Sequence, residues 1–385
     1  MRYDLGAMRI LFLNTDYPGF LAWLYQGRPG LALRSYEEQL RARDGSLFGT
    51  SDFMSRAMKE FGHAAIDVHA NNRALQEAWA ARYCRQYGGW LPRAATALPL
   101  PQLVQRFISL SARAERCQEI LAPQIAAFRP TILYNHDPTG FSAAWLRSVL
   151  PRDCALVAQI ASPRGDATDW RTYDLVISSL PNFVAWFNAN GVCAEYLPLA
   201  FEPRVLGALA DHPRDIPLSF VGSLSAAHQE RLDFLETIAA KEDELVLWGE
   251  GIDSLVSDSD LRRRHQGGAW GPEMFSILGR SQLTLNKHID VSEGYANNMR
   301  LFEATGMGAC LVTDWKENLA DLFEPGKEVV AYRTTEECLD LLRHFKTHDS
   351  ERTAIAAAGH TRCLSEHRYE RRMKQLADIL RRHFG

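Results

Sequence analysis

Short apolar runs alternate with helical periodicity along most of the chain. The runs in the first part have the length and continuity of buried parallel strands, and they fall at residues 9–14, 62–68, 131–138, 155–161 and 173–178. The same pattern then restarts, with apolar runs at residues 218–223, 245–251, 283–288, 309–313 and 328–332. Residues 335–384 have an almost wholly helical pattern. This alternation predicts an α/β protein with two Rossmann-like domains and C-terminal helices.

A polar stretch marked by prolines at residues 211–217 separates the two sets of strands. Such a composition is typical of a linker. We therefore predict one domain over residues 1–210 and a second over residues 211–385, and we leave open whether the last helix crosses back to the first. Two domains of this kind facing each other form an interdomain cleft, where small ligands commonly bind.

Composition and charge exclude several classes of protein. The chain has 385 residues, 46% hydrophobic and 23% charged, with a net charge of -4, so it lacks the basic field that attracts nucleic acid. Its seven cysteines are scattered without a CxxC pair, which argues against structural zinc and for reduced thiols. No apolar run approaches the ~20 residues that cross a bilayer. We expect a cytoplasmic protein without a nucleic-acid partner.

Polar residues at the carboxyl ends of predicted strands are the first candidates for a site, because ligands bind at that edge of open parallel sheets. His136 ends one such strand, and Lys287 ends another. Gly19 lies in the turn-rich segment after the first strand, where it would allow close approach of a phosphate or sugar. The alternatives are a loop hydrogen bond for His136, a solvated lysine and an ordinary turn.

The segment YANNMRLFEATGMGACLVTD, residues 295–314, predicts a helix that runs into a buried strand. Asn297 and Asn298 form its polar start, and Arg300 and Glu303 stand three residues apart on one face. A helix N-terminus with a guanidinium and a carboxylate beside it suits a phosphate and a hydroxyl-rich sugar. The alternative is an ion pair on the surface of an amphipathic helix.

With these motifs in view, the chain resembles the CgeB-like branch of retaining glycosyltransferases, which have the GT-B fold. The resemblance is carried by YNHDP at residues 134–138, LSFVGSL at 218–224, the segment from Asn297 to Asp314 and AAAGHTRCLSEHRYERR at 356–372. It implies that the second domain binds a nucleotide-sugar donor and that the first binds the acceptor. One departure is Tyr295, which stands where the related motif has a glutamate, while Glu293 lies two residues earlier.

The resemblance also implies roles for individual residues. Glu303 matches the carboxylate that binds the ribose, and His136 matches a histidine near the reaction centre. Asn297, Asn298 and Arg300 match the segment at the donor phosphates, and Gly222 and Ser223 match a glycine loop near the pyrophosphate, where Arg231 would add positive charge. Two further candidates come from their positions in the chain and not from the resemblance: Lys287, at a strand end, suits the diphosphate, and Trp270 would border the base. Trp270 has core packing as its alternative role.

We expect a glycosyltransferase that moves a sugar from a nucleotide-diphosphate donor to a glycan, protein or small-molecule acceptor. The expected reaction is metal-independent and retaining, with catalysis by His136, Arg300 and Glu303 and with no cofactor besides the donor. The Asp258–Asp260 segment spells DxD, but helix capping is the favoured role. The alternatives are a nucleotide-sugar epimerase and a non-catalytic binding protein. Whether the chain forms a homodimer is left open.

Overall fold

A computed structural model describes residues 7–83, 117–165, 167–210, 213–225 and 228–385. Residues 211 and 212 of the predicted linker therefore lie outside the described part. Contacts divide the chain into two compact units. The first comprises Met1–Ile160, Arg164–Val176 and Leu380–Gly385, and the second comprises Ala161–Pro163 and Ile177–Ile379.

The first sheet has six strands in the order β2-β1-β3-β4-β5-β6. The strands are β1 (Arg9–Asn14), β2 (Ala64–His69), β3 (Ile132–Asn135), β4 (Ala155–Gln159), β5 (Leu175–Ser178) and β6 (Ala194–Tyr196). β1 pairs in parallel with β2 and β3, and its apolar run is buried from Ile10 to Leu13. The helices of this part are α1 (Pro18–Gln26), α2 (Tyr36–Asp44), α3 (Phe53–Glu60), α4 (Arg73–Tyr83), α5 (117–128), α6 (Ala143–Val149), α7 (Pro181–Ala189) and α8 (Arg204–Ala208).

The loop predicted after β1 is shorter than expected. Pro18 occupies the first turn of α1, where its fixed φ and missing N–H suit a helix start. Gly19 consequently lies inside the first helical turn and not in an open loop. Its predicted location in a ligand-facing loop is wrong, because Pro18 begins a helix although the surrounding composition is rich in turn formers.

The second sheet has five strands in the order β11-β10-β9-β7-β8, and all four pairings are parallel. The strands are β7 (Ile216–Val221), β8 (Leu245–Trp248), β9 (Ser281–Asn286), β10 (Cys310–Asp314) and β11 (Val330–Tyr332). The helices are α9 (Gln229–Ala239), α10 (Asp260–Arg264), α11 (Pro272–Arg280), α12 (Met299–Gly306), α13 (Leu319–Leu322), α14 (Thr335–Thr347), α15 (Asp349–Glu366) and α16 (Tyr369–Phe384). The prediction of two α/β halves with C-terminal helices is confirmed.

A continuous hydrophobic core fixes the strand ends of the second sheet. Leu218, Leu247, Leu283 and Val312, from four neighbouring strands, are all fully or almost fully buried in it. Side chains of α9 and α14 pack into the same core. Because parallel strands end at one edge of the sheet, this packing brings the loops after β7, β8, β9 and β10 together.

Candidate functional site

Glycines allow the loops after β7 and β8 to pack closely against each other. Gly249 has a φ of 156°, and a Cβ atom built on it would lie 1.7 Å from the carbonyl oxygen of Gly222. The amide of Gly222 donates to the carbonyl of Trp248 at 2.9 Å, and the amide of Leu224 donates to that of Glu250 at 2.7 Å. The backbones of the two loops are therefore in direct contact, and a Cβ atom on Gly222 would lie 3.0 Å from the ring of Phe220.

The start of α12 is fixed to the end of β9 through a side-chain cap. Oδ1 of Asn298 accepts a hydrogen bond from the amide of Leu301 at 3.1 Å, as expected of an N-cap residue. Nδ2 of Asn298 donates to Oδ1 of Asn286 at 2.7 Å. Asn297, directly before the cap, is buried. The positive end of the α12 dipole thus lies at the carboxyl edge of the second sheet.

Arg300 and Glu303 form a buried ion pair on α12. Nη1 of Arg300 lies 2.9 Å from Oε2 of Glu303, and the side chains are only 13% and 9% exposed, which rules out an ordinary surface pair. Nε of Arg300 donates to the carbonyl of Val221 at the end of β7. Nη1, however, is buried without an aligned hydrogen bond. Burial raises the pKa of Glu303 and lowers that of Arg300, and each charge opposes the shift of the other.

Arg231 bridges the loops after β7 and β9. Its Nη2 donates to the carbonyl of Lys287 at 2.9 Å, and its Nη1 donates to the carbonyl of Ser223 at 3.4 Å. Burial lowers the pKa of the Arg231 guanidinium. The structure therefore brings together Gly222, Ser223, Arg231, Lys287, Asn297, Asn298, Arg300 and Glu303 at one edge of the second sheet.

Asp314, at the end of β10, is a member of this edge that the sequence did not predict. Its Oδ1 lies 2.7 Å from Nδ1 of His288, and its Oδ2 lies 3.9 Å from Nζ of Lys287 and 3.5 Å from Nζ of Lys316. Burial alone would raise the pKa of Asp314, but its interactions with His288 and Lys316 outweigh burial and bring that pKa to about 2. The only signal in the sequence was a carboxylate directly at a strand end.

The loop before α12 contains a strained glutamate. Glu293 has φ 49° and ψ -123°, a region that glycine adopts far more easily. Nζ of Lys316 donates to the carbonyl of Glu293 at 2.7 Å, and Oδ1 of Asn318 accepts from the amide of Ala296 at 2.6 Å. The segment after β10 thus holds the loop that leads into Asn297 and Asn298.

Trp270 stands beside the loop after β8. Its Nε1 lies 3.4 Å from the position that a Cβ atom on Gly268 would take. The neighbouring Gly267 accepts a hydrogen bond from the amide of Gly249 at 2.9 Å. Trp270 therefore borders the same glycine-rich backbone as Gly222, directly before α11.

The DxD spelling at residues 258–260 is part of a helix start. Ser259 is the N-cap of α10, and its Oγ accepts from the amide of Leu261 at 3.1 Å. Asp260 pairs with Arg263 one turn later. The prediction that this segment caps a helix is confirmed. Over residues 7–83, 117–165, 167–210, 213–225 and 228–385, no three or more His, Cys, Asp or Glu side chains are grouped to hold a metal ion.

His136 lies at the end of β3 in the first unit. Both ring nitrogens are shielded from solvent and neither has an aligned hydrogen bond within the described part of the chain, although an interaction with the side chain of Gln159 opposes the effect of burial on the pKa of His136. Burial lowers the pKa of His136 to about 4. The neighbouring Asp137 accepts a hydrogen bond from the hydroxyl of Thr15 at 3.0 Å, which joins the ends of β1 and β3. His136 is thus a neutral imidazole at the edge where we predicted it.

A buried cluster around Asp16, also in the first unit, was not predicted. Nη2 of Arg43 lies 2.6 Å from Oδ1 of Asp16, and Nδ1 of His69 lies 3.3 Å from Oδ2. All three side chains are almost fully buried. No local pattern predicts this cluster, because its partners lie on α2 and β2, which are distant from Asp16 in the sequence.

Residues 230–378 match the family model Glyco_trans_1_2, described as glycosyl transferase-like. No curated protein matches the chain. Sucrose-phosphate synthase from Thermosynechococcus elongatus is similar in structure, with a TM-score of 0.58 at 12% identity, over 98% of this chain and 99% of that chain. A glycosyltransferase from Rickettsia africae has a TM-score of 0.57 at 10% identity, over 98% and 99%. Anabaena HepE in complex with UDP-glucose has a TM-score of 0.57 at 13% identity, over 97% and 99%.

These likenesses show that the chain has the fold of the GT-B glycosyltransferases over nearly its whole length. The predicted GT-B fold is confirmed, and residues 230–378 match a glycosyl transferase-like family model. The CgeB-like branch and the roles of the individual site residues remain predictions. No helix among the described residues has both the length and the apolar composition to cross a membrane.

Proposed function

We propose that the protein transfers a sugar from a nucleotide-diphosphate donor to an acceptor hydroxyl, and that the second unit holds the donor. The observation that carries this proposal is the buried Arg300–Glu303 pair in the first two turns of α12. A carboxylate and a guanidinium that leave water together lose solvation, so they are seldom kept at a sheet edge for stability alone. A ligand with hydroxyl and phosphate groups would use both charges.

Each charged group has a distinct part in the proposed reaction. The amides at the start of α12 and the guanidinium of Arg300 would bind the diphosphate, with the ammonium of Lys287 close by. The carboxylate of Glu303 would accept hydrogen bonds from the ribose hydroxyls. Gly222 and Ser223 would let the backbone approach the pyrophosphate, and Trp270 would border the base.

Breaking the bond between the anomeric carbon and the diphosphate oxygen leaves negative charge on the diphosphate. Fixed cations and helix amides stabilise that charge in the transition state. This is the basis for proposing a reaction that needs no metal ion. The acceptor oxygen forms the new bond to the anomeric carbon, and its proton passes to the departing diphosphate. With bond formation on the face that the diphosphate leaves, the configuration is retained.

His136 would contact the transferred sugar. Burial keeps the imidazole neutral at physiological pH, so a ring nitrogen turned towards the sugar would donate or accept one hydrogen bond without introducing a charge. Because Anabaena HepE is described in complex with UDP-glucose, UDP-glucose is the first donor to test.

A radiolabelled donor screen tests the proposal. UDP-sugars and other nucleotide sugars are incubated with mixed acceptors and wild type, Arg300→Gln or Glu303→Gln. The exposed pair Glu324–Lys327, also three residues apart, supplies the matched controls Glu324→Gln and Lys327→Gln. We expect transfer by wild type and by both controls, and at least a hundredfold loss of kcat/KM in the two α12 variants. Transfer at wild-type rates by these variants would refute their roles.

The same screen separates the other two functions. Conversion of the donor to an epimer without any acceptor would identify an epimerase. Donor binding without turnover, across all acceptors, would identify a binding protein. In both cases we still expect binding of the donor to depend on Arg300 and Glu303.

A further inference from the structure

Arg372, on α16 in the second unit, is a buried cation with no carboxylate partner among the residues that the structure describes. It is only 4% exposed. Its guanidinium donates to the carbonyl of Leu199 and to Oε1 of Gln375, each at 3.1 Å, and Nη2 lies 2.6 Å from Nδ1 of His367. These are all neutral groups. Burial lowers the pKa of Arg372 to about 10, which leaves it charged at neutral pH. A buried charge is normally compensated by an opposite charge, so the surroundings of Arg372 favour the approach of an anion.

Arg372 lines a cavity of about 240 Å³ together with two further arginines, Arg362 and Arg371. Two carboxylates also line it, Glu366 and the solvent-exposed Asp321. The fixed charges in the wall therefore have an excess of one positive charge. His367 adds none, because burial lowers its pKa to about 4.

Glu366 does not neutralise the two outer arginines by close contact. Nη1 of Arg362 lies 3.9 Å from Oε1 of Glu366, and Nη2 of Arg371 lies 3.6 Å from Oε2. Both separations exceed hydrogen-bond distance, and ion pairs of this kind at partly exposed positions contribute little. Arg362 and Arg371, which are partly exposed, thus retain the capacity to bind a stronger anion. Each guanidinium nitrogen of Arg372 already has a hydrogen-bond partner, so Arg372 contributes mainly its positive charge.

We propose that this cavity binds an oxyanion of phosphate size, either inorganic phosphate or the phosphate group of a monoester. Guanidinium groups match the geometry of phosphate oxygens with paired N–H donors. Pro181, the first residue of α7, also lines the cavity, and the N-cap of that helix has no side-chain cap. The positive end of the α7 dipole would attract the anion together with the arginines. The cavity shares Asn318 with the contacts that hold the loop before α12, but its arginines lie on α15 and α16, so the proposal does not depend on the function proposed above.

Phosphate titration by calorimetry, at constant ionic strength and without any nucleotide, tests this site. The variants are the double substitution Arg362→Gln/Arg371→Gln and, separately, Arg300→Gln at α12. The control is Arg56→Gln, because Arg56 has the same 52% side-chain exposure as Arg371 and a glutamate 3.4 Å away. Wild type and Arg56→Gln should bind phosphate alike and saturably, and Arg300→Gln should retain a saturable phosphate site at the cavity. The double variant should bind phosphate at least tenfold more weakly while unfolding at a similar temperature.

Glycerol phosphate, titrated in parallel, separates the two sources of the anion. Tighter binding than inorganic phosphate assigns the site to a monoester, and equal or weaker binding assigns it to the free ion. Equal affinity for phosphate in wild type and the double variant would overturn the proposal. Binding of chloride to wild type with the same affinity as phosphate would also overturn it. Loss of phosphate binding in Arg300→Gln alone would also overturn it, since the anion would then belong to α12. None of these outcomes depends on donor turnover.

Discussion

Asp314 and His288 lie side by side at the ends of neighbouring strands, with Oδ1 of Asp314 2.7 Å from Nδ1 of His288 and 3.0 Å from its backbone amide. This contact orients the histidine and fixes a carboxylate between the ammonium groups of Lys287 and Lys316. Because Lys316 also holds the carbonyl of Glu293, Asp314 supports both sides of the loop that precedes α12.

Replacing Asp314 with asparagine should destabilise the protein in a pH-dependent way. The pKa of Asp314 is about 2 in the folded state and near 3.8 when unperturbed, so its ionised form contributes about 2 kcal/mol above pH 4. That contribution is lost as the pH falls towards 2. Urea unfolding should show a large loss in Asp314→Asn at pH 7 and a smaller one at pH 3. The same loss at both pH values, or a loss as large in the exposed control Asp340→Asn, would contradict the charge argument.

Asp44, on α2 in the first unit, should make stability depend on pH in the opposite direction. Burial raises its pKa from 3.8 to about 7, and its Oδ1 has no hydrogen-bond partner among the described residues. The folded state therefore holds a proton that the unfolded chain has released, and stability falls as the pH rises from about 4 to 7. Asp44→Asn should raise the melting temperature at pH 8 and raise it less at pH 5. The exposed Asp153→Asn is the control, and an equal gain at both pH values would refute the assignment.

Backbone strain at Glu293 gives a third prediction. Glu293→Gly should relieve the positive φ and stabilise the protein by about 1 kcal/mol. Glu293→Ala removes the same carboxylate but keeps Cβ, so it should not stabilise. Chemical unfolding of the two variants separates strain from charge. If both variants stabilise equally, the carboxylate and not the backbone is responsible.

A methyl group at Gly249 should be far more damaging than one at Gly267. Both glycines have a positive φ, but a Cβ on Gly249 would collide with the carbonyl of Gly222 at 1.7 Å, whereas that on Gly267 would meet nothing within 4 Å. We expect Gly249→Ala to lower the melting temperature markedly and to weaken donor binding. Gly267→Ala should lower the melting temperature only through the strain of an alanine at positive φ. Equal effects in calorimetric unfolding would show that the close approach of the two loops is unimportant.

The sequence predicted those features of the fold that depend on local pattern. Apolar runs located the strands, and the polar start at Asn298 correctly marked the beginning of α12 because an N-cap is a local contact. Gly19 was misplaced, since Pro18 can begin a helix as readily as a turn. The contact of Asp314 with His288 and that of Arg43 with Asp16 could not be predicted, because each joins residues distant in sequence.

The candidate site was likewise predictable where it depends on local spacing and not where it depends on long-range packing. The spacing of Arg300 and Glu303 predicted that they face each other, but it could not distinguish an exposed pair from a buried one. That distinction comes from packing against the end of β7, through the bond from Arg300 to Val221. Burial is a property of the whole domain, and one helix does not reveal it.

The most direct test of the central claim is thermal unfolding with a panel of nucleoside diphosphates, beginning with uridine diphosphate. At about 100 times its dissociation constant, a ligand that binds only the folded state contributes about 2.7 kcal/mol. We predict that one diphosphate raises the melting temperature of wild type and of Lys327→Gln, and that Arg300→Gln and Glu303→Gln lose the shift. An equal shift in all four proteins, or no shift with any nucleotide, would contradict a donor site built on α12.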